Sequence, residues 1–196
     1  DAITKGSENL INAIRIVSKY GLRSVVAINL FPEDKKEEID LIKKICLENN
    51  SIAIESDGFA KGGEGMIDLA EYIANLDEDN KDISLLYDDQ DSPINKVETL
   101  AKEIYSAEKV SWGPMTRTTL RQFENQGWNF PICMAKTHLS VSANPKLRGA
   151  PKGHTIPIRE ARVLGGAKQI VTLAGDIITL PGLPSNPNAF DIDLND

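Results

Sequence analysis

Two short apolar runs, Ser24-Val25-Val26-Ala27-Ile28-Asn29 and Ser51-Ile52-Ala53-Ile54-Glu55, stand one helical segment apart in this chain. Neither alternates polar with apolar. A β-branched run of this length without alternation reads as a strand covered on both faces. Between the runs, Ile39, Ile42 and Cys46 recur at helical spacing, and Asp34 with Glu37 forms a capping-box pattern that opens that helix. Ahead of them, Ser7 reads as the N-cap of a helix carrying Leu10, Ile11, Ile14 and Val17, ended by Gly21. After them, Met66, Leu69, Ile73 and Leu76 mark a third helix. Strands that alternate with helices in this way pair in parallel, because only a crossover returns the chain to the same edge of the sheet.

The pattern then changes. Residues 77–82 form a charged linker with few apolar groups. Ser92-Pro93 starts a helix that runs to Tyr105, with Pro at the first helical position. A helix near 114–126 and a strand at 132–135 follow, and residues 155–180 are extended, rich in Ile and Val and broken by Gly. The Pro/Gly-rich residues 181–188 read as a stiff loop. The expected fold class is α/β in two small units. The first, 1–105, has parallel strands and crossover helices; the second, 106–196, is mixed, with longer extended segments.

Bulk properties narrow the function. The 196 residues are 41% hydrophobic and 26% charged, enough for an ordinary core, and the formal net charge is −7. An acidic chain is a poor polyanion binder, so nucleic acid is not an expected partner. No apolar run approaches the roughly 20 residues that span a bilayer, so no membrane role is expected. Cys46 and Cys133 are far apart in apolar surroundings and read as buried, reduced thiols of a cytoplasmic or organellar protein. With two His and two Cys at no paired spacing, no metal site is expected. Cys133 and His138 lack an orienting third group and read as a core thiol and a loop histidine, leaving the catalytic residues unassigned. Glu160 and Arg162 fall on one face of an extended segment and Arg159 on the other, as for an ion pair across neighbouring strands.

In parallel sheets, ligands sit beyond the carboxyl ends of the strands. Both such ends carry unusual loops here: Asn29-Leu30-Phe31-Pro32, and Asp57 through Gly65 with the run Lys61-Gly62-Gly63-Glu64-Gly65. A glycine-rich turn between strand and helix lets backbone N–H groups approach an anion, or simply makes a tight turn. No G-x-x-x-x-G-K-S/T occurs in the chain. Aromatics are only 6% of residues, yet each loop holds one, Phe31 and Phe59. Two rings at one sheet edge either close the local core or flank a flat heterocycle.

Four ordered strings, Ala27-Ile28-Asn29-Leu30-Phe31-Pro32, Ala60-Lys61-Gly62-Gly63-Glu64-Gly65, Pro131-Ile132-Cys133-Met134-Ala135-Lys136-Thr137 and Leu180-Pro181-Gly182-Leu183-Pro184, carry a family resemblance over essentially the whole chain. It resembles the C-terminal portion of formate–tetrahydrofolate ligases (formyltetrahydrofolate synthetases), including the synthetase domain of eukaryotic multifunctional folate enzymes. The resemblance implies formate, ATP and tetrahydrofolate as substrates, formyl phosphate as intermediate and 10-formyltetrahydrofolate as product. It implies ATP with Mg2+ held mainly by a large N-terminal domain, against which the second unit would pack, and a homo-oligomeric enzyme. Phe31, Phe59, Lys61, Gly62 and Gly63 then become the folate-binding residues, and the segment by itself is expected to be inactive. The alternative is a catalytically incomplete folate-binding or interaction module. Four residues depart from the family pattern: Phe59 stands where Trp is frequent, His154 in place of Phe, and Lys168-Gln169 in place of Gly-Phe.

Overall fold

The computed structural model describes residues 2–76, 83–177, 185–187 and 190. The linker at 77–82 and the Leu180 to Pro184 string lie outside the described residues. Chain order is helix α1 (Ala2–Lys19), strand β1 (Val25–Asn29), helix α2 (Lys36–Glu48) and strand β2 (Ile52–Ser56). A single helical turn α3 (Gly58–Lys61) and a 3-10 turn (Gly62–Met66) lead into helix α4 (Ile67–Ala74). The second half adds helix α5 (Pro93–Glu103), strand β3 (Lys109–Trp112), helix α6 (Thr116–Asn125) and strands β4 (Ile132–Lys136), β5 (Thr155–Leu164) and β6 (Gln169–Ala174). The α/β expectation holds.

β1 and β2 pair in parallel with Val25 opposite Ile52 and Asn29 opposite Ser56. Their amino ends are tied by side chains: Ser24 Oγ donates to Ser51 Oγ at 2.9 Å and Ser51 Oγ donates to the Ser24 carbonyl at 3.0 Å. At the carboxyl end, Leu30 N–H donates to the Ser56 carbonyl at 3.0 Å, so the ladder continues into the loop. A two-stranded ribbon has little stability of its own. It survives here because α2 and α4 pack on β2 and α1 packs on α2.

The second sheet has the order β3-β5-β6-β4, parallel at its two outer pairings and antiparallel in the centre. Every second residue of β6 is buried, Ile170, Thr172 and Ala174, which is the period of a strand with one face on the core. Ile94, Val97 and Ala101 from α5 and Leu120 from α6 meet Ile132, Ile156, Ile158 and Ile170 in that core. Fully burying side chains of this size is worth about 1.5–3 kcal/mol each. The helix expected to close the first unit therefore builds the second, and the change of core falls before Ser92 rather than after Tyr105. Ser92 Oγ accepts from Asn95 N–H at 3.2 Å, as an N-cap should. Arg15 joins the two halves: its guanidinium donates to the Glu103 carbonyl at 2.9 Å, the Ile104 carbonyl at 3.2 Å and Ser106 Oγ at 3.1 Å. A cation on the free carbonyls at the end of α5 suits both their hydrogen bonding and the helix dipole.

Several expectations change. α1 already runs from Ala2, and Ser7 is buried inside it with Oγ donating to the Thr4 carbonyl at 2.8 Å; it caps nothing. No strong breaker precedes Ser7, since one Gly is tolerated in a helix at a cost of about 1 kcal/mol. The capping box on α2 is absent: Lys35 is its N-cap, without a side-chain cap bond. Cys46 is buried, whereas Cys133 is exposed on the edge strand β4. Arg162 pairs with Glu160 on its own strand, at 2.6 and 3.0 Å, and Arg159 pairs with Asp176. Glu160 and Arg162 share a face of β5, as alternation requires, and standing two residues apart they reach each other within the strand rather than across it. β3, with only four residues, was not expected as a strand.

Candidate functional site

Because Asn29 lies level with Ser56, the loops leaving β1 and β2 begin side by side. Each loop projects one aromatic ring. The Phe31 and Phe59 centroids are 6.4 Å apart with a 38° tilt between the rings. Phe31 is 56% exposed and Phe59 86% exposed. A ring that open contributes little to a core, so the local-core reading of Phe59 has no support in its surroundings. The separation and tilt fall within the roughly 4.5–7 Å of rings that interact directly, so the two rings form a tilted pair on the surface and would have to part to admit a flat heterocycle between them.

The loop after β2 is shaped by its backbone. Asp57 N–H donates to the Gly65 carbonyl at 3.0 Å and Lys61 N–H to the Asp57 carbonyl at 2.9 Å. These bonds fold residues 57–65 into a closed turn with Phe59 at its outer side. Gly65 packs against Asp57 so tightly that a Cβ would stand 2.2 Å from the Asp57 carbonyl oxygen. Gly62 has φ +56 and ψ −135, a region essentially reserved for glycine. Gly63 has neither constraint: a Cβ there meets nothing within 4 Å and its φ is not in the left-handed region. Of the glycines expected in the site, the fold thus requires Gly62 for its conformation. Gly65, outside the expected set, is required for its lack of a side chain. The signal for Gly65 was its spacing from Asp57, readable only once the turn closes.

Lys61 Nζ lies 2.9 Å from Asp57 Oδ2, and this bond holds the ammonium above its ordinary lysine range. The lysine so fastens the loop from which it springs. Asp34, read from sequence as a helix cap, turns back instead. Its Oδ2 accepts from Phe31 N–H at 2.8 Å, and its own N–H donates to the Phe31 carbonyl at 3.0 Å.

The strand β4 and its following loop form a second polar group. Lys136 Nζ donates to the Thr137 carbonyl at 2.6 Å and to the Ser140 carbonyl, and lies 5.3 Å from the Tyr105 ring centroid. Burial pushes this ammonium below its ordinary range. His154 has both ring nitrogens shut off from solvent without a well-formed hydrogen bond. Burial pushes the imidazole down, the Pro151 and Val141 backbone opposes that, and Lys136 adds to it. Cys133 and His138 are not brought into any catalytic arrangement by a recorded contact. Among the described residues, no group of three or more His, Cys, Asp or Glu could hold a metal ion, and no helix is long and apolar enough to cross a membrane.

The family profile described as formate–tetrahydrofolate ligase matches residues 1–196. The chain belongs to the formate–tetrahydrofolate ligase family. It is 45% identical over 195 residues to the formate–tetrahydrofolate ligase of Roseiflexus castenholzii, covering 98% of this chain and 35% of that protein. The ligase of Desulforamulus reducens is 42% identical over 197 residues, and that of Pelagibacter ubique 41% over 197, each covering 100% of this chain and 35% of the relative. The chain spans about a third of the length of the curated relatives it matches. The Phe31 and Phe59 loops therefore lie within the matched segment.

Proposed function

We propose that this segment supplies the tetrahydrofolate side of a formate–tetrahydrofolate ligase, with Phe31 and Phe59 as the walls of the pterin site. The observation that carries the reading is the exposed aromatic pair, 6.4 Å apart at the carboxyl edge of a parallel sheet. Stacking of a base on an aromatic side chain is worth about 1–3 kcal/mol per ring, and a pterin offers a comparable flat face.

The reaction balances in two steps. Formate oxygen attacks the γ-phosphorus of ATP, giving formyl phosphate and ADP. The N10 amine of tetrahydrofolate then attacks the formyl carbon, inorganic phosphate leaves with the C–O bond electrons, and N10 gives up a proton. The phosphoryl half needs a preorganised phosphate cradle. This chain carries no phosphate-loop motif and, among its described residues, no metal-binding group, so no step through Mg2+ is assigned to them. ATP with Mg2+ belongs, in this reading, to the portion of the family that precedes the matched third. The chain's own task is orientation: two rings hold the pterin flat, and the loop 57–65 sets the second ring. The segment by itself is expected to bind reduced folate and to show no formate-dependent ATP hydrolysis.

Calorimetric titration of the 196-residue chain with 5-formyltetrahydrofolate tests the reading. Phe59→Ala should weaken binding by about tenfold or more, at about 1.4 kcal/mol per decade, and Phe59→Trp should keep it. An unchanged Kd with a lowered Tm would mean that Phe59 serves stability and not the ligand.

A further inference from the structure

The two walls of the proposed folate site are held in very different ways. Phe59 sits on a single helical turn bounded by Gly58 and Gly62 and is 86% exposed. Phe31 is fixed at both of its backbone groups, since Asp34 accepts from its N–H at 2.8 Å and donates to its carbonyl at 3.0 Å. Pro32 stands at the second position of the resulting turn, where its ring restricts φ in advance. Leu30, the residue before Phe31, is anchored by its N–H on the Ser56 carbonyl at 3.0 Å. The reciprocal Asp34 bonds are thus the last link that carries the rigid sheet end into the ring of Phe31.

We infer that Asp34 is a positioning residue for the folate site, holding Phe31 as the fixed wall against which the ring of Phe59 closes. The inference rests on the aromatic-pair reading above. Several features set Asp34 apart from an ordinary surface carboxylate. It caps no helix, because Lys35 is the N-cap of α2 and the helix starts without a side-chain bond. It takes part in no ion pair among those found between described residues. Its bonds lie at the surface, where a lost backbone partner is replaced by water, so its removal should be nearly silent in stability. The turn bond from the residue-34 N–H to the Phe31 carbonyl survives substitution, but without the carboxylate the Phe31 N–H loses its 2.8 Å acceptor, so the Phe31 backbone samples more conformations and the ligand must order it on binding.

The test is a double-mutant cycle on the 196-residue chain, read by calorimetric titration with 5-formyltetrahydrofolate and by thermal unfolding. Asp34→Ala should weaken binding by roughly threefold to tenfold, the range of coupled neighbours, and leave Tm within about 1 °C. Asp34→Asn, which keeps a side-chain oxygen acceptor, should restore binding to within about twofold of the parent. In a Phe31→Ala background, Asp34→Ala should add nothing. An equal loss in both backgrounds would overturn the inference, as would wild-type affinity in Asp34→Ala when Phe31→Ala is impaired. If Phe31→Ala itself leaves binding unchanged, the aromatic-pair reading fails instead, so the two failures are separable.

Discussion

Adding one methyl group at Gly65 is the sharpest perturbation the structure offers. The Cβ of Gly65→Ala would stand 2.2 Å from the Asp57 oxygen, 2.4 Å from its carbonyl carbon and 3.1 Å from its Cα. All three are backbone atoms, so no flexible side chain can swing aside. Restoring ordinary contact requires Asp57 and residue 65 to part by about 1 Å, which breaks the 3.0 Å bond from Asp57 N–H to the Gly65 carbonyl. Losing that bond costs about 0.5–1.5 kcal/mol, and the displaced backbone about 1–3 more, for a total near 2–4 kcal/mol. Gly62→Ala should cost about 1–2 kcal/mol, from its positive φ. Gly63→Ala, with open space around it, should stay within about 0.5 kcal/mol of the parent. The order Gly65, Gly62, Gly63 is measured by urea unfolding of the three variants. Calorimetric titration with 5-formyltetrahydrofolate should rank them alike, because Phe59 rides on the same turn. A Gly63 variant more damaged than Gly65→Ala would refute the closed-turn reasoning.

The remaining predictions concern the second half of the chain. Lys96 is 0% exposed; its ammonium donates to the Asp89 carbonyl at 2.8 Å and the Asn129 carbonyl at 2.6 Å and lies 5.4 Å from the Tyr87 ring centroid. Lys96→Met should lower stability by about 2–4 kcal/mol, because two carbonyls lose their donor in a dry site, and an unshifted urea midpoint would contradict this. His154 has a folded-state pKa pushed below its unfolded value near 6.5, mainly by burial, so the unfolded chain binds the extra proton. Stability contributed by the neutral ring is complete above about pH 6.5 and declines as pH falls below it; His154→Phe should remove that slope between pH 7.5 and 5. Equal losses in parent and variant would refute it. Lys168 takes φ +49 in the turn between β5 and β6, where a Cβ is unfavourable by about 1–2 kcal/mol. Lys168→Gly should therefore gain about 0.5–1 kcal/mol and Lys168→Val lose more than 1, read from guanidinium midpoints, and the opposite order would count against strain at this turn.

Local chemistry by itself placed most of the elements. The β-branched runs and the helical spacing around Ile39 and Cys46 were sufficient for β1, α2 and β2 and for their parallel pairing, because periodicity is written in consecutive residues. Ser92-Pro93 gave the start of α5 for the same reason. The family was equally legible, since four ordered strings survive in the linear chain. What needed the folded chain was every choice between two partners. Asp34 could cap α2 or turn back on Phe31, and the pattern of residues is the same in both cases. Helix α5 could close the first unit or build the core of the second, and only the packing of Ile94, Val97 and Ala101 on β3 and β4 decided it. Cys133 looked buried by its neighbours and is exposed because it follows Ile132, which faces the core, and so points to the opposite face of β4. The spacing of Phe31 and Phe59 likewise belongs to the register of Asn29 on Ser56, a contact between residues 27 positions apart, which no window of sequence contains.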